Sequence, residues 1–337
     1  MSTSVPTHTK AISRPSGRVL PRAISGQEFV LIGVIVLLWA LLGVFTPGFL
    51  QPASLQPLLA SIAPIAIIGI GMTIIIITAG IDISVAGMVM VCSVVMAKLM
   101  AEGGVPLPVA LPIGVAIGGL LGLLNGVLIA IGRVHPIIIT FGTANIFLFI
   151  GLRIFDAQVV NGIPSSVGVF GRGEAGRLFG IPHSFLIMLV LAAIVWWFLR
   201  YTAGGRHFYA IGSDAPAAKL AGIRVERHTM IPYVLTGLLA GLASIIVIAN
   251  GTQSLAPTVG KGMELQVIAA VVIGGTSILG GRGTVLGTVL GAILVQTVTS
   301  GTIQLGWPSQ LANFFVGVAI VIAVGADLIQ QRFRRKA

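Results

Sequence analysis

Arg200-Tyr-Thr-Ala-Gly-Gly-Arg-His-Phe-Tyr-Ala-Ile-Gly-Ser-Asp-Ala-Pro-Ala-Ala-Lys-Leu-Ala-Gly-Ile-Arg-Val-Glu-Arg-His228 is the longest charged interval between two apolar segments of this chain. Arg200, Arg206, Lys219, Arg224 and Arg227 face only Asp214 and Glu226 in it. The flanking stretches, 182–199 and 229–249, are each apolar and about as long as the ~20 residues a helix needs to cross a bilayer core. The interval therefore reads as a hydrophilic loop of a membrane protein. Within it, Ser213 to Gly222 predicts a short helix. Ser213 can cap the free N–H groups of the first turn, and Asp214 sits at the positive end of the dipole. Pro216 falls where its missing N–H costs nothing, and Gly222 can take the left-handed conformation that stops the helix. On local physics alone this equally fits an ordinary surface helix.

The rest of the chain settles the class. Of 337 residues, 56% are hydrophobic and only 9% charged, and the mean hydropathy is +1.05. Soluble chains carry ~25% charged residues. The net charge of +11 is scattered over short loops and the two ends, with neither a basic face nor stacking aromatics, which argues against nucleic acid. Cys92 is the sole cysteine, so no intrachain disulfide forms. The five histidines show no ligand spacing, and no cofactor is expected.

Ten apolar segments meet the length requirement: 28–46, 55–79, 83–101, 106–131, 135–155, 182–199, 229–249, 264–280, 283–301 and 308–328. The expectation is an all-α polytopic membrane protein of about ten transmembrane helices. A basic tail, 1–27, precedes a single domain, 28–328, and a second basic tail, 329–337, follows. Segment 83–101 and the pair 264–280 and 283–301 have very short connections, and one of them is a candidate half-span. With the first tail inside and strict alternation, fifteen of the twenty Lys and Arg fall inside. Only Arg153, Arg172, Arg177 and Lys261 fall outside, and Lys98 can snorkel. That bias places both ends in the cytoplasm. The longest outer loop, 156–181, is glycine-rich and suits a lid or docking segment. Glycines at every fourth position (114–126, 237–241, 283–291) predict close helix packing. Two oppositely directed halves of five spans would make an inverted repeat, although no convincing internal similarity supports it.

The search for an energy source fails. Gly260-Lys-Gly262 lacks the spacing of a phosphate loop, and no acid–base or nucleophile–base pair suggests an enzyme. Ionisable groups are nearly absent from the spans, with Asp82 and Glu264 at junctions, which disfavours ion coupling. Uncharged polar groups do occur there. Ser84, Asn125, Thr140, Thr143, Asn145, Thr276 and Ser277, with Asp82, suit helix–helix hydrogen bonding or the wall of a path for a neutral, hydroxyl-rich solute.

Four stretches carry a more specific reading: Thr78-Ala-Gly-Ile-Asp82-Ile-Ser84-Val-Ala-Gly87; Asn125-Gly-Val-Leu-Ile with Pro136-Ile-Ile-Ile-Thr140-Phe-Gly-Thr143; Thr202-Ala-Gly-Gly-Arg206, Ala210-Ile-Gly and Ala217-Ala-Lys-Leu-Ala-Gly-Ile223; and Glu264-Leu265, Ile268 to Ser277 and Gly280-Gly-Arg-Gly283. In this order they resemble the membrane permease subunits of bacterial ABC importers for monosaccharides, over nearly all of 30–328. The resemblance implies a type II ABC importer-like permease fold and no catalysis in this chain. It implies an ATP-binding subunit, a substrate-binding protein outside the inner membrane and a second permease copy. It also gives the loop 200–228 a role: a cytoplasmic helix docked on the ATPase. Ala217, Leu220 and Ala221 would form its apolar face, Arg206, Asp214 and Lys219 its rim, and Ser213, Ala218, Gly222 and Ile223 its frame. An ion-coupled carrier built on Asp82 is the competing reading. Relatives that carry autoinducer-2, nucleosides or branched-chain amino acids are competing readings of the solute.

Overall fold

The structure is a computed structural model that describes residues 26–171, 174–251 and 253–336. The expected tail 1–27, except its last two residues, and Arg172 lie outside the described residues. Twelve helices are seen among them: α1 Gly26–Phe45, α2 Pro52–Ile77, α3 Val85–Ala101, α4 Leu107–Ala130, α5 Pro136–Phe155, α6 His183–Tyr201, α7 Ala203–Ser213, α8 Ala215–Leu220, α9 Val225–Ala249, α10 Met263–Ile273, α11 Val285–Gln304 and α12 Ser309–Lys336. The described residues of the expected outer loop, 156–171 and 174–181, form short 3-10 turns and paired dipeptides. Val160–Asn161 (β1) pairs antiparallel with Ser254–Leu255 (β4), and Arg177–Leu178 (β2) with Ile181–Pro182 (β3).

α1, α2, α4, α5, α6, α9 and α11 are long and apolar enough to cross a membrane, while α3, α10 and the apolar part of α12 are shorter. Each of the ten expected spans contains one of these helices. α10 departs most: it ends at Ile273, where the hydropathy runs on to 280. Eleven residues at 1.5 Å rise give roughly 16 Å, about half of a ~30 Å hydrocarbon core. The half-span is therefore α10. At the C-terminus, α12 continues as helix through the basic residues to Lys336, so the second tail is a helical extension of the last span.

α2 is apolar all round and buried over nearly its whole length, as expected for the central helix of a bundle. α9, α10, α11 and α6 surround it. The outer helices expose large apolar side chains such as Val36, Leu120, Phe141 and Trp197, a surface that suits lipid.

Contacts fix the helix directions. Along α4 and α9, Gly114 meets Gly241, Gly118 meets Gly237, Gly122 meets Tyr233 and Gly126 meets Met230, so the two run antiparallel. A Cβ on Gly118 would lie 2.2 Å from the Gly237 carbonyl oxygen. This is the close approach that the glycine spacing predicts. α1 and α11 run parallel, through Trp39 Nε1–H to Thr297 Oγ1 at 3.0 Å and Leu42 against Gly301. Asn250 Nδ2–H donates to the Ala60 carbonyl at 3.2 Å, while Thr236 touches Gly71, so α2 and α9 are antiparallel. Strict alternation follows. One face of the bundle holds residues 78–84, 131–135, 200–228 and 274–284. The other holds 46–51, 102–106, 156–171 and 174–182.

The pairings contain an internal correspondence. α3 packs on α9 as α10 does on α2; α4 packs on α9 as α11 does on α2. Likewise α3 meets α4 and α5 as α10 meets α11 and α12. With α2 antiparallel to α9, this is an inverted repeat of α2–α5 and α9–α12. The expected five-plus-five arrangement is thus visible as four plus four, because α1 packs on α11 while α6 packs on α2.

Candidate functional site

The polar interval folds as two helices joined at a single extended residue. Thr202 caps α7, its Oγ1 accepting the Gly205 N–H at 3.0 Å. Asp214, with φ −162° and ψ 96°, breaks the chain and caps α8: its Oδ1 accepts the Ala217 N–H at 2.9 Å. The expected cap, Ser213, is instead the last residue of α7, and its Oγ–H donates to the Tyr209 carbonyl at 2.8 Å. The shorter side chain loses because the helical turn ahead of it is already made. Gly222 has φ +82°, and the closing bonds run from Ile223 N–H to Ala218 O at 3.1 Å and from Gly222 N–H to Lys219 O at 3.0 Å. This is the glycine-stopped end that the sequence predicts.

α8 turns one residue inward and most of the others outward. Ala218 is buried, whereas Ala217, Ala221, Arg206, Asp214 and Lys219 are exposed and Leu220 is 91% exposed. Lys219 pairs with Glu226 at 3.5 Å, an exposed contact of little energetic weight. Nothing lies within 4 Å of a Cβ built on Gly222, so its replacement tests backbone strain alone. Gly222→Val should cost ~1–2 kcal/mol at the stop of α8. Hydrogen exchange of the amides from Ala217 to Ile223 should quicken in the variant, with the rest of the bundle unchanged.

The base of α7 is wedged into the bundle. Gly212 lies against the last residue of α2: a Cβ there would be 1.7 Å from the Ile77 carbonyl oxygen and 2.6 Å from the Gly281 nitrogen. Gly281 N–H donates to that same Ile77 oxygen at 2.9 Å, and Tyr209 Oη–H donates to Gly283 O at 2.9 Å. One glycine contact thus joins α7, the central helix and the loop between α10 and α11.

The predicted path residues divide. Asp82, Ser84 and Asn125 are fully buried and bonded in series. Asp82 Oδ1 accepts the Ser84 N–H at 2.8 Å and the Ser84 Oγ–H at 2.6 Å, and Asn125 Nδ2–H donates to Ser84 Oγ at 2.7 Å. Burial pushes the Asp82 carboxyl up to about 6, against the bonds from Ser84 that hold it down. Thr140 Oγ1–H reaches the Ile81 carbonyl at 3.2 Å, and Thr143 bonds within its own helix. In this conformation Asp82, Ser84, Asn125 and Thr140 link the turn before α3 to α4 and α5. Thr276 and Ser277 lie apart from them, on the loop after α10, where Ser277 N–H donates to Arg282 O at 3.0 Å. Only Asn145 is exposed, on a cavity of 420 Å³ between α3, α5 and the start of α10. A larger cavity of 650 Å³ between α1 and α11 is apolar. Of its two hydroxyls, Thr297 accepts from Trp39 and Thr302 donates to Val298 O.

The family described as branched-chain amino acid transport system / permease component matches residues 54–324. The chain belongs to this family. A ribose import permease protein of Bacillus subtilis (strain 168) is 38% identical to this permease over 298 residues, 88% of this chain and 91% of the relative. A fructose import permease protein of Rhizobium meliloti is 34% identical over 304 residues, 87% and 83% of the two chains. A probable ABC transporter permease protein of Escherichia coli (strain K12) is 37% identical over 311 residues, 92% of each. No solved structure matches. The relatives are transport permeases, not enzymes, and this permease is a multi-pass helical membrane protein.

Two features of the permease escaped the sequence. α7 was unannounced because two glycines in its first turn lower helix propensity, and the Thr202 cap was the available signal. The histidines, distant in sequence, include a spatial pair: His207 Nδ1 lies 3.2 Å from His228 Nε2, and His228 Nδ1 lies 2.9 Å from Arg224 O. No third metal donor joins them among the described residues.

Proposed function

We propose that this permease is the transmembrane subunit of an ATP-driven importer of a monosaccharide in the bacterial inner membrane. The carrying observation is the α7–α8 segment. It offers Ala217, Leu220 and Ala221 outward and is fixed to the central helix through Gly212. An apolar helix face in a polar rim suits a groove on a partner, here a cytosolic ATP-binding subunit. The face bearing it holds Arg133, Arg200, Arg206, Lys219, Arg224, Arg227 and Arg282, and that excess supports a cytosolic reading of this face. A substrate-binding protein on the other side and a second permease subunit complete the assembly. The solute class follows the relatives whose names specify ribose and fructose.

The mechanism follows from the contacts. ATP-driven closure of the partner displaces α8. Asp214 transmits the displacement to α7, and Gly212 passes it to the end of α2 and to the 274–284 loop. The bundle then exchanges one packing for the other.

Proteoliposomes holding the complete importer test this. Radiolabelled ribose or fructose should accumulate only with ATP and the binding protein. Uptake that follows a proton or sodium gradient without ATP would replace the proposal with an ion-coupled carrier. Asp82→Asn should retain most of the uptake, because an amide oxygen can still accept both Ser84 bonds.

A further inference from the structure

Lys261 and Glu264 do not lie at the outer face, where their place at the start of an apolar segment puts them. After α9, residues 253–262 descend into the bundle. At Gly260, a Cβ would be 2.9 Å from the Ala86 carbonyl oxygen and 3.6 Å from Val89. The Val89 carbonyl accepts the Ser244 Oγ–H of α9 at 3.3 Å, and Ser244 lies between the α2–α9 contacts at Asn250–Ala60 and Thr236–Gly71, about level with the middle of α2. α10 then runs back to the coupling face, where Gly274 packs on Gly287. The two charged residues at its start therefore sit near the mid-plane of the membrane layer.

Charge at that depth is costly in hydrocarbon and marks solute or ion pathways. Neither residue is in an ion pair among the described residues. Glu264 Oε2 is buried without a hydrogen-bond partner, and Lys261 is exposed. Both line the 420 Å³ cavity, with Asn145 and Thr258 as further polar groups and Met90 and Leu148 among its apolar walls. The volume is within the roughly 300–1,000 Å³ of small-molecule sites.

We propose that this cavity is the permease's mid-membrane solute site, and that Glu264 and Lys261 contact the hydroxyl groups of a neutral sugar ring there. The carboxylate accepts hydroxyl hydrogens, while the ammonium and the Asn145 amide donate. Met90 and Leu148 lie along the C–H faces of the ring. The inference rests on the importer reading for its solute, but the wet, polar character of this face rests on the fold alone.

Two measurements on the complete importer in proteoliposomes test it. In a Cys92→Ala background, Lys261→Cys should react with a membrane-impermeant charged methanethiosulfonate at least about tenfold faster than Leu120→Cys, since an uncharged hydrocarbon environment suppresses the reactive thiolate. Leu120 is 63% exposed near the middle of the apolar helix α4. Equal rates would overturn the proposal. Glu264→Gln should lower uptake of radiolabelled ribose or fructose roughly tenfold or more, the scale of a lost charged hydrogen bond. Unchanged uptake would also overturn it, and if the variant melts early the thiol contrast decides. Should the wild-type importer take up neither sugar, the monosaccharide reading fails while the thiol contrast still reports on the site.

Discussion

Gly212→Ala is expected to lower ATP-driven uptake more than tenfold (the order of effect of a core overpacked by a few kcal/mol), and to sever ATPase stimulation from transport. The added methyl would sit 1.7 Å from the Ile77 carbonyl oxygen and 2.6 Å from the Gly281 nitrogen. Both are backbone atoms bonded to each other, so neither can rotate aside. Either α7 lifts off the end of α2 or the Ile77–Gly281 bond opens. Each outcome separates the docking segment from the bundle. Gly204→Ala on the same helix is the control. Its methyl would meet the far edge of the Phe198 ring at 3.1 Å and Thr202 Oγ1 at an ordinary 3.8 Å, and most activity should remain. If the Gly212 variant transports as well as this control, the route through Gly212 is wrong.

The second large effect lies where α4 and α9 cross. A Cβ on Gly237 would be 2.1 Å from the Gly118 carbonyl oxygen and 3.0 Å from Gly122 Cα. A leucine there must force the two backbones apart along the whole glycine contact. In lipid, close backbone packing is a main source of helix association, because apolar surface gains little by leaving hydrocarbon. Gly237→Leu should therefore lower the melting temperature in detergent by on the order of 10 °C. Gly33→Leu on α1, where nothing lies within 4 Å, should leave it unchanged. Equal melting of the two variants would mean that the α4–α9 contact is not stabilising.

Much of this architecture can be read directly from the residues. Hydropathy marks ten helices because lipid requires each span to satisfy its own backbone in a long apolar run. The four-residue glycine spacing marks both faces of the α4–α9 contact as close-packing surfaces, though not their pairing, since only glycine allows two carbonyl-lined backbones so close. The stop at Gly222 is legible for a similar reason: the left-handed conformation strongly favours that residue.

What escapes is depth and three-dimensional neighbourhood. Hydropathy treats 264–280 as one span, because Gly274, Gly275 and Ile278 keep an apolar average after the helix has ended. Lys261 reads as an outer-loop charge because sequence records order, not how far a connection descends. The Asp82, Ser84 and Asn125 series reads equally as helix ties or as the wall of a path because all three are polar, and sequence order does not show that they bond to one another. The Gly212 junction gives no signal beyond a glycine in a short apolar run, since its partners are 135 and 69 positions away in the chain.

The four-plus-four pairing bears on energetics. If one half opens on the cytosolic side while its counterpart is closed on the other, swapping the roles of the halves yields a mirror-like end state. Had the halves been identical, the two end states would tie in free energy. The real gap thus comes from what differs between them, above all a 17-residue α3 opposite an 11-residue α10. An engine that rocks such a seesaw supplies only that difference and the friction of crossing, not the cost of rebuilding a fold.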